Sequence, residues 1–365
     1  MFVFHFIIKT ALLFIFLSLL SCDNDVEITH VNPIILSIED AETFRIEDGC
    51  YESVFILDSF LIMNAHCDSN KIHVFNKENL QLITKFGTGG MAPFELPYTH
   101  PLNNSSITQK NDHLLFYDLR VFQFKTINLE KYLTEGNIAE CITSVPMDKA
   151  LFFSIYLSQL DMHKFAARST TPMEGTFFIY DTLKKEKKYI GYESKNKLDE
   201  RTNLHIYFGE LNANGSKNSM VFASRFFDQV MFYDLEGNLQ KKHVFSPLKM
   251  PELPKQFPGP LKKLFTYAYS TYATSDFCFV HRACQLFSSD IEQPLKPSQI
   301  LVFTWNGVLV NAFELPAISP TSRPHICFDE EYGYLYSFYT SMEVNDPHIV
   351  VRKYKINDYL LIDEK

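Results

Sequence analysis

Six times along the chain a polar residue opens a short extended stretch of mostly apolar residues: Lys71-Ile-His-Val-Phe75, Arg120-Val-Phe-Gln-Phe124, Thr176-Phe-Phe-Ile-Tyr180, Gln229-Val-Met-Phe-Tyr233, Gln299-Ile-Leu-Val-Phe303 and His348-Ile-Val-Val-Arg352. The second positions of these segments, 72, 121, 177, 230, 300 and 349, lie 49, 56, 53, 70 and 49 residues apart. Such a spacing fits one four-stranded sheet per repeat and is too long for a helical solenoid unit of about 34 residues. The pattern predicts an all-β chain, a six-bladed β-propeller of four-stranded antiparallel blades.

The strands within a repeat follow from alternation and turn chemistry. Blade one reads as Ser53 to Leu57, Phe60 to Asn64, Lys71 to Phe75 and Leu80 to Phe86, with polar turns between them. Blade four repeats the plan with Met220 to Ser224, Gln229 to Asp234 and Leu239 to Phe245. The turns are rich in Asp, Asn and Gly, whose side chains accept local backbone N–H groups or whose backbone tolerates left-handed angles. Upstream, Ile34 to Ile38 and Glu42 to Ile46 are candidate strands, and the last repeat lacks an outer strand. The ring is therefore expected to close by an N-terminal strand, the one around Ile34 to Ile38, pairing with Ile349 to Val351. Closure would remove two exposed sheet edges.

Composition narrows the classes. With 34 Phe and 19 Tyr against 13 Gly, the blades should pack through bulky aromatic side chains. A formal charge of −9 and the absence of a concentrated basic stripe argue against nucleic acid as a partner. The densest basic run, Lys184-Lys-Glu-Lys-Lys188, reads as a solvated turn and outer strand. No zinc-ribbon spacing relates the cysteines, which are expected to be mostly free; Cys50 with Cys67, or Cys278 with Cys284, are the pairs that adjacent strands could bring together.

Before the repeats, a start containing Lys9 is followed by the apolar run Ala11 to Leu20 and then Ser21-Cys22. About 20 residues are needed to span a bilayer core, so cleavage is expected rather than a permanent span. Leu19-Leu-Ser-Cys22 resembles the lipobox of bacterial lipoprotein signal peptides. That resemblance implies a signal peptide over 1–21 and lipidation of Cys22, with 22–33 as lipidated cysteine and polar tether and 34–365 as the propeller. The implied partner is a membrane, reached through the acyl chains, which hold stably when more than one is buried. The implied location is the cell envelope, with the outer membrane or cell surface preferred over the inner membrane.

The segment Phe86-Gly-Thr-Gly-Gly-Met-Ala-Pro-Phe-Glu-Leu96 resembles the Phe-Gly-x-x-Gly-x-Gly-Pro-Gly-Glu-Phe loop of the TolB-like six-bladed β-propeller lipoproteins of Gram-negative bacteria. Phe86, Gly87, Gly90, Pro93 and Glu95 match, whereas Ala92 and Phe94 replace glycines and Leu96 an aromatic. The resemblance implies a fold and an envelope location rather than an activity.

No zinc-protease, nucleophile-elbow, phosphate-loop or EF-hand motif occurs in the chain. No catalytic residue, metal ligand or cofactor is assigned. The expected role is a noncatalytic binding or scaffold protein for an envelope protein, peptide or glycan. The alternative is a lactonase-like hydrolase or lyase with a channel-bound metal, whose scattered ligands no local motif would reveal. Candidate ligand-binding residues at the channel mouth come from predicted inner strands: His205 and Tyr207 in blade four, Tyr267 and Tyr269 in blade five, and Arg323 and His325 in blade six. Aromatic faces beside Arg and His suit a sugar ring or an acidic group.

Overall fold

The computed structural model describes residues 28–360 apart from 48–50, 66–67, 91, 97–98, 103–112, 172–173, 192–199, 248–264, 287–296, 318–324 and 342–347. The lipobox, Cys50 and Cys67 lie outside the described residues, as do most of the proline-rich stretch 246–260 and of 288–298, whose spacing and prolines suggest excursions from the blades.

Two N-terminal strands, β1 (Ile34–Ile35) and β2 (Ala41–Glu47), precede the blades. Blade one is β3 (Tyr51–Leu57), β4 (Phe60–Ala65), β5 (Asn70–Asn76) and β6 (Leu82–Thr88). Blade two is β7 (Thr99–Pro101), β8 (His113–Asp118), β9 (Gln123–Asn128) and β10 (Ile142–Pro146), with helices α1 (Leu129–Glu135) and α2 (Ile138–Cys141) between its last two strands. Blade three is β11 (Ser154–Gln159), β12 (Lys164–Ser169), β13 (Phe177–Asp181) and β14 (Glu186–Ile190), and helix α3 (Glu200–Ile206) follows it. Blade four is β15 (Gly209–Asn214), β16 (Ser219–Ser224), β17 (Gln229–Tyr233) and β18 (Leu239–Val244). Blade five is β19 (Phe265–Ala273), β20 (Phe277–Leu286), β21 (Ser298–Thr304) and β22 (Leu309–Leu315). Blade six has β23 (His325–Asp329), β24 (Tyr334–Ser341) and β25 (His348–Lys355). The protein is an all-β six-bladed propeller with four-stranded antiparallel blades.

Five of the six repeat segments lie on the third strand of a blade, on β5, β13, β17, β21 and β25. In blade two the third strand starts three residues later than Arg120, at Gln123. Asp118 accepts the N–H groups of Arg120 and Val121 (2.9 and 3.4 Å) and converts the start of that segment into a turn. The same device recurs where Asn76, Asp181, Asp234 and Asp329 each accept two backbone N–H groups.

Closure uses an N-terminal strand, but not the one expected. β2 pairs antiparallel with β25, placing Phe44 opposite Val351 and Ile46 opposite Ile349. Ile34 and Ile35 instead run parallel to β22 on the outer edge of blade five, opposite Phe313 and Glu314. The longer strand, with seven residues, makes the larger set of backbone hydrogen bonds and completes the four-stranded sheet.

The core is a ring of apolar layers, each between neighbouring blades. Among the described residues, five of the six junctions carry a phenylalanine pair across the gap: Phe55–Phe116, Phe124–Phe165, Phe177–Phe222, Phe232–Phe303 and Phe279–Phe328, with ring centroids 4.8 to 6.1 Å apart. The junction of blades six and one is built differently. There the buried Lys77 ammonium meets Asp329 at 3.3 Å and Glu331 at 2.8 Å, while the Tyr336 hydroxyl donates to the Lys77 carbonyl at 2.9 Å.

The glycine-bearing loop leads from β6 to β7, as expected. Gly87 has φ +83°, which demands glycine, and a Cβ there would stand 2.4 Å from Leu96 Cδ1, so that side chain would also have to shift. Glu95 accepts the Ala92 N–H at 2.7 Å, and Lys125 donates to the Glu95 carbonyl. Glu95, half-buried, therefore folds the loop back on itself.

Candidate functional site

Inner strands β11, β15 and β19 lie side by side around the axis. On β15, residues alternate Glu210, Asn212 and Asn214 with Leu211 and Ala213; the two apolar residues are buried in the layer against blade three. The polar set reaches toward blade five. Asn212 Nδ2 donates to Thr271 Oγ1 at 2.5 Å, and Asn214 Nδ2 donates to the Ser275 carbonyl at 3.0 Å.

Glu210 is the centre of this set. Its Oε2 accepts the Thr271 N–H at 2.8 Å, and its Oε1 faces Arg225 Nη2 at 3.4 Å. Burial raises the Glu210 pKa, opposed by Arg225 and by the Thr271 hydrogen bonds. Tyr156, on β11, interacts with both Arg225 and Glu210, and burial together with the Glu210 charge pushes its phenol well up. Tyr156 has φ +50° at the irregularity that shifts β11 against β12 between Ile155 and Ser158. A bulky residue in that region is strained, and such strain concentrates at functional sites.

Three arginines surround the set with different hydrogen-bond partners. Arg168 donates from Nη1 to the Tyr207 carbonyl at 2.6 Å and from Nη2 to the Leu204 carbonyl at 3.0 Å, satisfying carbonyls at the end of α3. Arg282 forms a fork with Asp228 at 2.8 and 2.7 Å and reaches Gln299 at 2.6 Å. The fork fixes the turn 225–228, whose first residue is Arg225. The Arg225 guanidinium has the long contact to Glu210 and the Tyr156 interaction, and its Nε has no hydrogen-bond partner among the described residues. The Phe208 ring lies between Arg168 and Arg225, 4.7 and 4.5 Å from the two guanidinium carbons, and meets Tyr156 edge-on at 5.8 Å. With side chains 12 % and 13 % exposed, Glu210 and Arg225 form a largely dry pair that still reaches the surface.

The channel end carrying this pair is the one where inner strands begin. Arg225 N–H donates to the Phe208 carbonyl, and Tyr267 N–H to the Arg225 carbonyl, both at 2.8 Å. Tyr267 is thus brought beside Arg225, on β19 as expected. Tyr269 shares that strand. His325 is the first residue of inner strand β23, as expected for blade six. Arg323 lies outside the described residues. His205 and Tyr207 are not on an inner strand: His205 is in α3, and Tyr207 follows it, buried and stacked on Phe227 at 5.2 Å. The inner strand of blade four starts two residues later, at Gly209. Sequence reasoning therefore missed Tyr156, Glu210 and Arg225. The Glu-x-Asn-x-Asn alternation over 210–214 was the available signal for the first carboxylate.

Among the described residues, two buried cysteines of the ring carry no activated thiol. Cys278 and Cys327 are free and buried, so no Cys278–Cys284 disulfide forms, and burial pushes both thiols well up. Among the described residues no cluster of three or more His, Cys, Asp or Glu side chains is arranged to hold a metal. A separate recess of about 380 Å³ lies on the outer part of blade two, lined by residues that include His113, Lys131, Glu140 and the buried Cys141. Lys131 there already reaches Glu135 at 3.5 Å and the Glu140 carbonyl at 3.1 Å.

The chain is similar in structure to a member of the DUF4221 family from Bacteroides vulgatus, with TM-score 0.55 and 13% identity over 86% of this chain and 95% of that one. It is also similar to a protein from Bacteroides fragilis provisionally described as exported, with TM-score 0.51 and 13% identity over 90% of this chain and 98% of that one. At this identity the likeness shows the shared fold. No family model matches the chain, and no curated protein matches it.

Proposed function

We propose that the chain is a lipid-anchored β-propeller of the cell envelope that binds a protein, peptide or glycan at the mouth of its channel without turning it over. The observation that carries the reading is the largely dry Arg225–Glu210 pair on the inner part of blade four, flanked by blades three and five and still reaching the surface. A guanidinium fixed by its neighbours and largely shielded from water recognises a polar group more strongly than one at an open surface. The lipobox at Cys22 supports the anchor, and the Bacteroides fragilis likeness supports export. The loop Phe86 to Leu96 supports kinship with TolB-like lipoproteins.

The test is calorimetric titration of the purified chain with peptidoglycan fragments, envelope polysaccharides and peptides, followed by mass analysis of the recovered ligand. The expected result is saturable binding and unchanged ligand; sustained turnover of any component would overturn the noncatalytic reading. For the anchor, Cys22→Ala should yield an unprocessed or soluble form. A variant that partitions into detergent and migrates like the wild type would remove the lipidation assignment.

A further inference from the structure

We infer that the ligand taken at this mouth is a neutral saccharide and that Phe153 is the platform on which one of its rings stacks; this rests on the binding reading above. Phe153 occupies in blade three the place that Phe208 occupies in blade four. Each immediately precedes its inner strand, and each carbonyl accepts the N–H of the residue just after the second strand, Thr170 for Phe153 and Arg225 for Phe208, at 2.8 Å in both cases. The two positions differ in what covers the ring. Phe208 is half-buried and has two guanidinium groups against its ring. Blade three has Thr170 where blade four has Arg225, and Phe153 is 56 % exposed.

Phe153 also has φ +59°, a conformation that a bulky side chain rarely adopts. The preceding Phe152 takes the packing position instead, stacked on Phe122 at 3.9 Å, and Phe122 touches Phe153 only edge-on at 5.7 Å. Phe153 and Tyr156 lie three positions apart, a backbone separation of at most about 11 Å. On this inference a saccharide stacked on the exposed ring extends its neighbouring hydroxyls toward the polar pair.

Charge selects among ligands. An anion at Arg225 would lie against Glu210, and a cation at Glu210 would lie against Arg225, because the two are 3.4 Å apart. A hydroxyl group meets neither penalty, since it accepts from the guanidinium and donates to the carboxylate. The apolar C–H face of a sugar matches the exposed aromatic ring, and adjacent hydroxyls match the pair.

The experiment is calorimetry of the purified full chain, in detergent, with neutral di- to tetrasaccharides and their uronic-acid counterparts. At least one neutral saccharide is expected to bind, the charged counterpart more weakly. Phe153→Ala should weaken binding about three- to tenfold, the loss of one aromatic contact, with an unchanged melting temperature because the ring is exposed. Arg225→Lys, which keeps the charge and loses the fork, should weaken it further. Preference for the uronic acids, binding untouched by Phe153→Ala, or no saccharide binding overturns the inference. If saccharides fail while an envelope peptide or protein binds in an Arg225-dependent way, only the ligand class falls. If the chain binds nothing in either panel, the binding reading falls with it.

Discussion

His243 illustrates how one buried residue joins two parts of the ring and leaves a measurable signature. It is 7 % exposed; its Nε2 faces the Gly307 carbonyl at 2.8 Å and so carries the proton, leaving Nδ1 to accept from Thr29 Oγ1 at 3.2 Å. Burial lowers its pKa below the ordinary 6.5, with the Gly307 hydrogen bond opposing. The buried His73 is lowered for the same first reason, burial, with Lys85 adding to it and Asp68 opposing. Below 6.5 the unfolded chain binds protons that the folded one does not, so this contribution to stability is present above 6.5 and is lost as pH falls toward the folded values. Thermal unfolding from pH 7.5 to 5 should show falling stability, and His243→Gln should have a shallower slope over that range. An identical slope would show that His243 titrates alike in both states. Legibility was uneven at this scale: the Asx turns at Asp181 and Asp234 could be read because their acceptors act within a few residues, whereas the Arg225–Glu210 contact depends on how two strands and a turn meet.

At the scale of elements, the junction between blades six and one stands apart from the five phenylalanine junctions. Asp329 and Lys77 are both almost fully buried, and Glu331 and Asp329 raise the Lys77 pKa against the effect of burial. Removing one member of a buried pair leaves the other uncompensated, so Lys77→Met should cost about 3–5 kcal/mol. Adding Asp329→Asn, which keeps the turn's acceptor oxygen, should recover part of that loss. A urea-unfolding double-mutant cycle measures the coupling, and additive effects would show that the two charges do not depend on each other. Strand identity was legible where apolar alternation was strong, as in blades one and four. Helix α3 was misread as a strand because His205-Ile-Tyr207 carries the same polar-apolar alternation; Arg168, from the preceding blade, satisfies the carbonyls that let the helix end there.

The whole molecule is a ring in which each blade is covered by its neighbours, so its stability depends on closure. A chain truncated through residue 36 loses β1 and its two paired residues, whereas one truncated through residue 47 also loses the seven paired residues of β2. The longer truncation is expected to expose β25, lower the melting temperature sharply and broaden the transition; the shorter one should have a much smaller effect. Equal melting temperatures would show that β2 is dispensable. The blade count was legible because it rests on a repeat visible throughout the chain, but the closing strand was not, since Ile34 to Ile38 and Glu42 to Ile46 read equally well as extended segments. The proposed ligand is held by the inner part of blade four, beside blades three and five. A crystal structure of the chain with the tightest-binding neutral saccharide should show sugar hydroxyls on Arg225 and Glu210 with a ring over Phe153; a ligand bound elsewhere, with that pair untouched, overturns this placement.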